Sequence, residues 1–156
     1  MYKVTIPGRG QLNLENLVLD MNGTISIDGS LLPGVKWRVS RLRETFKIYL
    51  LTADTFGSAE QVSSELGVEL KVVSPLHGGQ DKVDTVNSLG CLETVAIGNG
   101  FNDVGMLRAA GLSICVMGKE GCSTQALQAA MIAVNDIRDA LDLLLVPERL
   151  VATLRV

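Results

Sequence analysis

Asp20 closes the apolar run Leu17-Val18-Leu19, and Met21-Asn22-Gly23-Thr24 follows it. A carboxylate delivered at the end of a buried strand, with turn backbone N–H groups just beyond, suits a phosphoryl group. Such a carboxylate can attack phosphorus, forming an aspartyl-phosphate and splitting one hard displacement into two. Three later segments offer the rest of that chemistry. Leu51-Thr52-Ala53-Asp54 brings a hydroxyl and neighbouring N–H groups for phosphoryl oxygens. Lys82 is a point cation able to neutralise carboxylate and phosphate. Gly98-Asn99-Gly100-Phe101-Asn102-Asp103 is a glycine-rich turn, and Asp103 can bind a hard cation through oxygen. Each has a plainer role when taken alone. Asp20 could cap a strand end, Thr52 a helix, Lys82 could be a solvated helix lysine, and the turn a simple strand–helix connection.

The elements that must position these residues alternate along the chain. Short aliphatic runs predict buried parallel strands at Leu17–Leu19, Ile48–Leu51, Leu70–Val73, Val95–Ile97, Ser113–Val116 and Ile132–Val134. Helical spacing joins Val35, Val39, Leu42 and Phe46, then Phe56, Ala59, Val62 and Leu66. It returns in Val104, Leu107 and Ala110, and in Ile137, Ala140, Leu141, Leu144 and Leu145. Such alternation predicts an α/β sheet wound on both faces, which gathers ligands at the carboxyl ends of its strands. Asp20, Thr52 and the Asn99–Asp103 turn fall there, and Lys82 lies on the helix before the third of these strands. Tyr2–Ile6 and Gln11–Leu14 flank Pro7-Gly8-Arg9-Gly10 as an N-terminal hairpin, and Asp28-Gly29 marks the tip of a second, short one. The tail from Pro147 either packs on the domain or serves a neighbouring subunit.

Composition narrows the classes. The 156 residues are 47% hydrophobic and only 4% aromatic, which predicts an aliphatic core in a single domain over 1–156. A formal charge of −3 offers no basic footprint, so no nucleic-acid partner is expected. No apolar run reaches membrane-spanning length and the N-terminus lacks a signal-peptide layout, so a cytoplasmic protein without membrane contact is expected. Cys91, Cys115 and Cys122 have no metal or redox spacing and read as reduced thiols, two of them packed against core elements. His77, the only histidine, stands in a loop-like stretch and has no partner for a metal pair.

Together and in this order, Asp20–Thr24, Thr52, Lys82 and Gly98–Asp103 resemble the four motifs of the haloacid dehalogenase superfamily of phosphotransferases. The match is best to its small, capless, soluble P-type-ATPase-like phosphatases and covers nearly the whole chain. The resemblance implies a Rossmann-like, doubly wound, mainly parallel sheet in three αβα layers, without a cap domain. It implies catalytic roles for Asp20, Asn22, Thr52 and Lys82. It implies phosphate binding by Met21, Asn22, Thr52, Ala53 and Lys82, and Mg²⁺ held by Asp20, the Asn22 carbonyl, Asn99 and Asp103. Capless members act on large substrates or oligomerise so that a neighbour covers the site, which makes a homo-oligomer an expectation here.

Two positions depart from the family pattern. Its phosphatases usually carry, two residues after the nucleophile, an Asp that protonates the leaving group and then activates water. Asn22 stands there, and losing a general acid–base commonly costs on the order of 10²–10⁴ in rate. P-type ATPases also lack that Asp, carrying Thr, and still form the aspartyl-phosphate. Asn99 stands where many relatives place a magnesium-binding Asp. The sequence therefore supports a magnesium-dependent phosphohydrolase acting through Asp20, slowed at Asn22. The alternative is a catalytically weakened phosphate- or metal-binding or regulatory module of the same fold. A receiver-type phosphoacceptor fits less well, because its acceptor Asp lies mid-chain and Gly98–Asp103 would go unexplained. No particular phosphorylated substrate is legible.

Overall fold

The structure, a computed structural model, describes residues 1–54 and 57–156. The chain opens with an antiparallel hairpin, β1 (Tyr2–Ile6) and β2 (Gly10–Leu14), then enters β3 (Asn16–Asp20), which is buried along its whole length. A small flap follows, β4 (Ser26–Ile27) and β5 (Ser30–Leu31), before α1 (Val35–Leu42) and β6 (Lys47–Thr52). Next come α2 (Ser58–Leu66), β7 (Glu69–Val72), α3 (Gly78–Leu89) and β8 (Thr94–Gly98). A 3-10 turn (Phe101–Asp103) leads into α4 (Val104–Ala109), β9 (Leu112–Val116), α5 (Thr124–Ala129), β10 (Ile132–Val134), α6 (Ile137–Leu145) and α7 (Pro147–Leu154).

Six strands form one parallel sheet in the order β10-β9-β8-β3-β6-β7. The period of two along each strand divides the core between its faces. Leu17 and Leu19 face α1, α2, α6 and the hairpin, whereas Val18 faces α3, α4 and α5. This is the doubly wound, three-layer arrangement the alternation predicts. Between the flap and β6 there is one helix and no inserted cap. At the flap tip Asp28 (φ 51°) and Gly29 (φ 76°) both take the left-handed backbone that a tight two-residue hairpin demands.

The differences from expectation are local. The run expected at Leu70–Val73 pairs one residue earlier, over Glu69–Val72, and is a half-exposed edge strand rather than a buried one. Val73 is buried, its N–H donating to the Thr52 carbonyl. Phe46 shares the helical spacing of α1 but lies past its end. A turn carries it back, with its N–H on the Leu42 carbonyl, and it packs beside Tyr2 at 5.3 Å between rings. The spacing that begins at Phe56 is realised from Ser58 onward, and Phe56 itself lies outside the described residues. Among the described residues no helix is long and apolar enough to cross a membrane. Cys115 is buried, and Cys91 and Cys122 pack, partly buried, against the α3–α4–α5 core.

The tail settles on its own domain. Pro147 takes the first position of α7, where its missing N–H costs nothing, and Leu150 and Leu154 bury against β1. The Val156 N–H donates to the Pro7 carbonyl, tying the tail to the hairpin turn. Leu150→Ala should therefore lower the unfolding free energy by about 2–4 kcal/mol, read from urea midpoints. A loss under about 0.5 kcal/mol would mean that α7 is not part of the cooperative unit.

Candidate active site

The chain runs outward from β3 to β6 and β7, then returns to β8 on the other side of β3. The reversal leaves a crevice at the carboxyl ends of β3 and β8, where open α/β sheets bind ligands. Asp20 is the last residue of β3, Thr52 the last of β6, and Asn99 the first after β8. A pocket of about 290 Å³ opens there, lined by Asp20, Asn22, Thr52, Ala53, Asp54, Lys82, Asn99 and Asn102. The expected site residues thus converge, with two exceptions. The Met21 side chain is wholly buried in the core, so only its backbone can serve a phosphate. Asp103 is also wholly buried and stands behind the wall of the pocket rather than on it. A larger hollow, about 480 Å³, lies between the flap and the loops after β9 and β10, and Asp20, Thr52 and Lys82 do not line it.

Lys82 joins the two buried carboxylates. It reaches from the inner face of α3, 1% exposed, and its Nζ donates to Asp20 Oδ1 and Asp103 Oδ1, each at 2.6 Å. Burial alone would lower the Lys82 pKa, but Asp20 and Asp103 together hold it above its ordinary value. The cluster still carries one negative charge in excess. Burial, and then the neighbouring Asp103, push Asp20 up to about 6, against the opposing pull of Lys82 and Thr24. Asp103 Oδ2 accepts the N–H groups of Asn99 and Gly100, each at 2.9 Å, which holds the turn closed around it. Gly98 is required by space there, since a Cβ would come within 2.5 Å of Asp103 Cγ.

Thr24, the last residue of the Asp20–Thr24 motif, has a role that the sequence does not assign. Its Oγ1 stands 3.0 Å from Asp20 Oδ2 and 3.2 Å from Asn99 Oδ1. One hydroxyl has one proton, and the carboxylate is the stronger acceptor. The sequence signal was a hydroxyl residue four positions after the carboxylate, across a turn. Asn99 Nδ2 donates to the Gly121 carbonyl at 3.1 Å, so this amide also anchors the loop after β9. Gly23 has φ +78°, and a Cβ on it would meet Glu120 Oε2 at 2.3 Å and Asn99 Nδ2 at 2.5 Å. Thr52 caps no helix, since α2 starts after Gly57; its Oγ1 accepts the Asp54 N–H at 3.1 Å, leaving its own proton to donate. Asn22 Oδ1 lies 3.4 Å from Ser26 Oγ in the flap. His77 is exposed ahead of α3, as its loop-like setting suggests.

No family model matches the chain. It is 42% identical over 96 residues to an uncharacterized protein of Methanocaldococcus jannaschii, covering 62% of this chain and 94% of that one. A protein of Archaeoglobus fulgidus named "probable copper-exporting P-type ATPase" is 30% identical over 121 residues, 76% of this chain and 15% of its own length. A soluble P-type ATPase-like phosphatase of Methanocaldococcus jannaschii is 23% identical over 91% of this chain and 53% of its own. Among solved structures, 3-deoxy-D-manno-octulosonate 8-phosphate phosphatase from Moraxella catarrhalis, in complex with magnesium, phosphate and the sugar acid, superimposes with a TM-score of 0.69. It is 16% identical, over 90% of this chain and 92% of the other. The cobalt-bound phosphatase from Haemophilus influenzae gives 0.71 at 16% identity, over 85% and 88%. The chain has the fold of these haloacid dehalogenase-type phosphatases. No cap domain is inserted between flap and β6 of this fold.

Within that fold, the side chains at the crevice able to ligate a metal offer oxygen: the Asp20 carboxylate and Asn99 Oδ1, with Asp103 behind the wall. Oxygen donors and an excess negative charge fit a hard divalent cation. Among the described residues no three His, Cys, Asp or Glu side chains that could hold a metal gather at one point. Asp103 has both oxygens occupied, one by Lys82, and a directly bound cation would have to displace that contact.

The raised Asp20 pKa gives a stability test. The folded chain holds this proton more tightly than the unfolded one, for which 3.8 applies. The associated stability is full below pH 3.8 and is lost as pH rises through about 6. In EDTA, Asp20→Asn should therefore gain on the wild type between pH 4 and 7, by on the order of 1–3 kcal/mol in urea unfolding. A variant that loses ground over that interval would contradict the charge assignment.

Proposed function

We propose that this chain is a magnesium-dependent phosphohydrolase acting through an aspartyl-phosphate at Asp20. The observation that carries the reading is the buried Asp20 held at 2.6 Å by Lys82, opposite Thr52, in the crevice where the sheet reverses. An Asp20 oxygen attacks phosphorus and the bond from phosphorus to the leaving oxygen breaks, that oxygen taking its proton from solvent. Lys82 balances charge on the nucleophile, and the Thr52 hydroxyl with the Met21, Asn22 and Ala53 N–H groups receives phosphoryl oxygens. Water then attacks the acyl phosphate, releasing phosphate and regenerating the carboxylate. Asp20, the Asn22 carbonyl and Asn99, with Asp103 behind, would hold Mg²⁺, which would supply charge neutralisation to the transferring phosphoryl group. Free thiols at Cys91, Cys115 and Cys122 support a reducing, cytoplasmic setting. The open, capless mouth supports a homo-oligomer in which a neighbour shields the site.

The second step is the slow one in this account. Attacking water must lose a proton, and the Asn22 amide cannot take it. Phosphoenzyme should accumulate, giving a burst of aryl alcohol in rapid-quench kinetics with an activated aryl phosphate. Asn22→Asp restores a base beside the site, so the burst should shrink and steady-state turnover rise by about 10-fold or more. No burst, with turnover unchanged or lower in Asn22→Asp, would favour the neutral Asn22 and Asn99 marking a phosphate-binding or regulatory module.

A further inference from the structure

Beside the phosphoryl pocket lies another hollow, of about 370 Å³, and Ala53 and Asn102 line both. Its rim carries Leu76, 86% exposed, and Phe101, 70% exposed, two large apolar side chains left in water next to the phosphoryl pocket. Its floor is kept low by glycine. A Cβ at Gly105 would strike Val83 Cγ2 at 2.3 Å, and one at Gly79 would stand 3.5 Å from the Asn102 carbonyl oxygen.

Charge separates the candidate occupants. Among the described residues, no charged side chain lines this hollow. Lys82, on the adjoining helix α3, is committed to Asp20 and Asp103. The positive end of α3 is already matched by Asp81 in its first turn, whose Oδ2 accepts the Ser74 N–H at 2.7 Å. A leaving group bearing a carboxylate would lose water there and find no cation. An apolar ring would cover Phe101 and Leu76 and lose nothing. The volume is near the lower limit for small-molecule sites, which suits one or two rings rather than a peptide.

We propose that this hollow is the leaving-group subsite, and that the substrate is a phosphate monoester of an uncharged, apolar alcohol, aryl or ring-bearing. The inference rests on the phosphohydrolase reading above and adds the class of alcohol released. Specificity then comes from Leu76 and Phe101, on the loop before α3 and the turn after β8.

Phosphonates test it without turnover. Phenylphosphonate and methylphosphonate carry the same charged group and differ in the ring alone. Calorimetry on the whole chain in magnesium buffer should show phenylphosphonate binding about tenfold more tightly. Leu76→Ala and Phe101→Ala should remove most of that preference while leaving methylphosphonate affinity unchanged. Both side chains are exposed, so their truncation opens no cavity in the core. In turnover, O-phosphoserine, whose leaving group is charged, should have a kcat/KM at least tenfold below that of phenethyl phosphate, an alkyl ester with a neutral ring. Equal binding of the two phosphonates would overturn the subsite and leave the phosphohydrolase reading standing. So would variants that change the oligomeric state in sedimentation but not the preference, for the rim would then be an interface between copies. Binding of neither phosphonate would overturn the phosphoryl site itself, and the subsite with it.

Discussion

Two buried carboxylates share one buried ammonium, and the rest of the site is arranged around that fact. Removing Lys82, Asp20 and Asp103 from water is costly, and their mutual attraction repays it only with close geometry. Three separate elements secure it. The end of β3 fixes Asp20, the turn after β8 fixes Asp103 through two backbone N–H groups, and α3 carries Lys82 across to both. The arrangement is left one charge short of neutrality. Burial, and then that excess of negative charge, raise the Asp20 pKa, and the excess is also what a divalent cation would answer. Stability and chemistry therefore pull against each other at Asp20, a common tension at active sites.

The neutral replacements are structural parts as well as chemical departures. Asn99 holds the loop after β9 by donating to the Gly121 carbonyl, and an Asp there would set a carboxylate against that oxygen. A more strongly charged metal site at this position would thus weaken the loop that borders it. Asn22 is different. It lies exposed, with only a long contact to Ser26, so little in the packing demands an amide. Its consequence is kinetic, in a step where a proton must go somewhere.

Much of the fold was legible because parallel strands covered on both faces appear as unbroken aliphatic runs. Leu17–Leu19 and Val95–Ile97 mark the two strands flanking the crevice, and Asp20 and Gly98-Asn99, which follow them, mark its working edge. The edge strand at Glu69–Val72 starts one residue before its aliphatic run because an edge strand mixes exposed and buried positions, which blurs the run. Lys82 was not legible locally. A lysine on a helix is ordinarily solvated, and only the ordered set of motifs separated it from the others. Thr24 and Gly23 escaped because their roles depend on contacts from residues 75 or more positions away, Asn99 and Glu120, which no local pattern displays. The docking of α7 on the hairpin is of the same kind, since its two buried leucines match several possible faces.

The central claim is that phosphoryl transfer passes through Asp20. The most direct test is chemical trapping: brief incubation with an activated aryl phosphate and magnesium, acid quench, reduction of any acyl phosphate with borohydride, and peptide mass spectrometry. The account predicts conversion of Asp20 to homoserine, at no other acidic residue, and none in Asp20→Asn. Turnover without modification of Asp20, or modification at Asp54 or Asp103 instead, would contradict it.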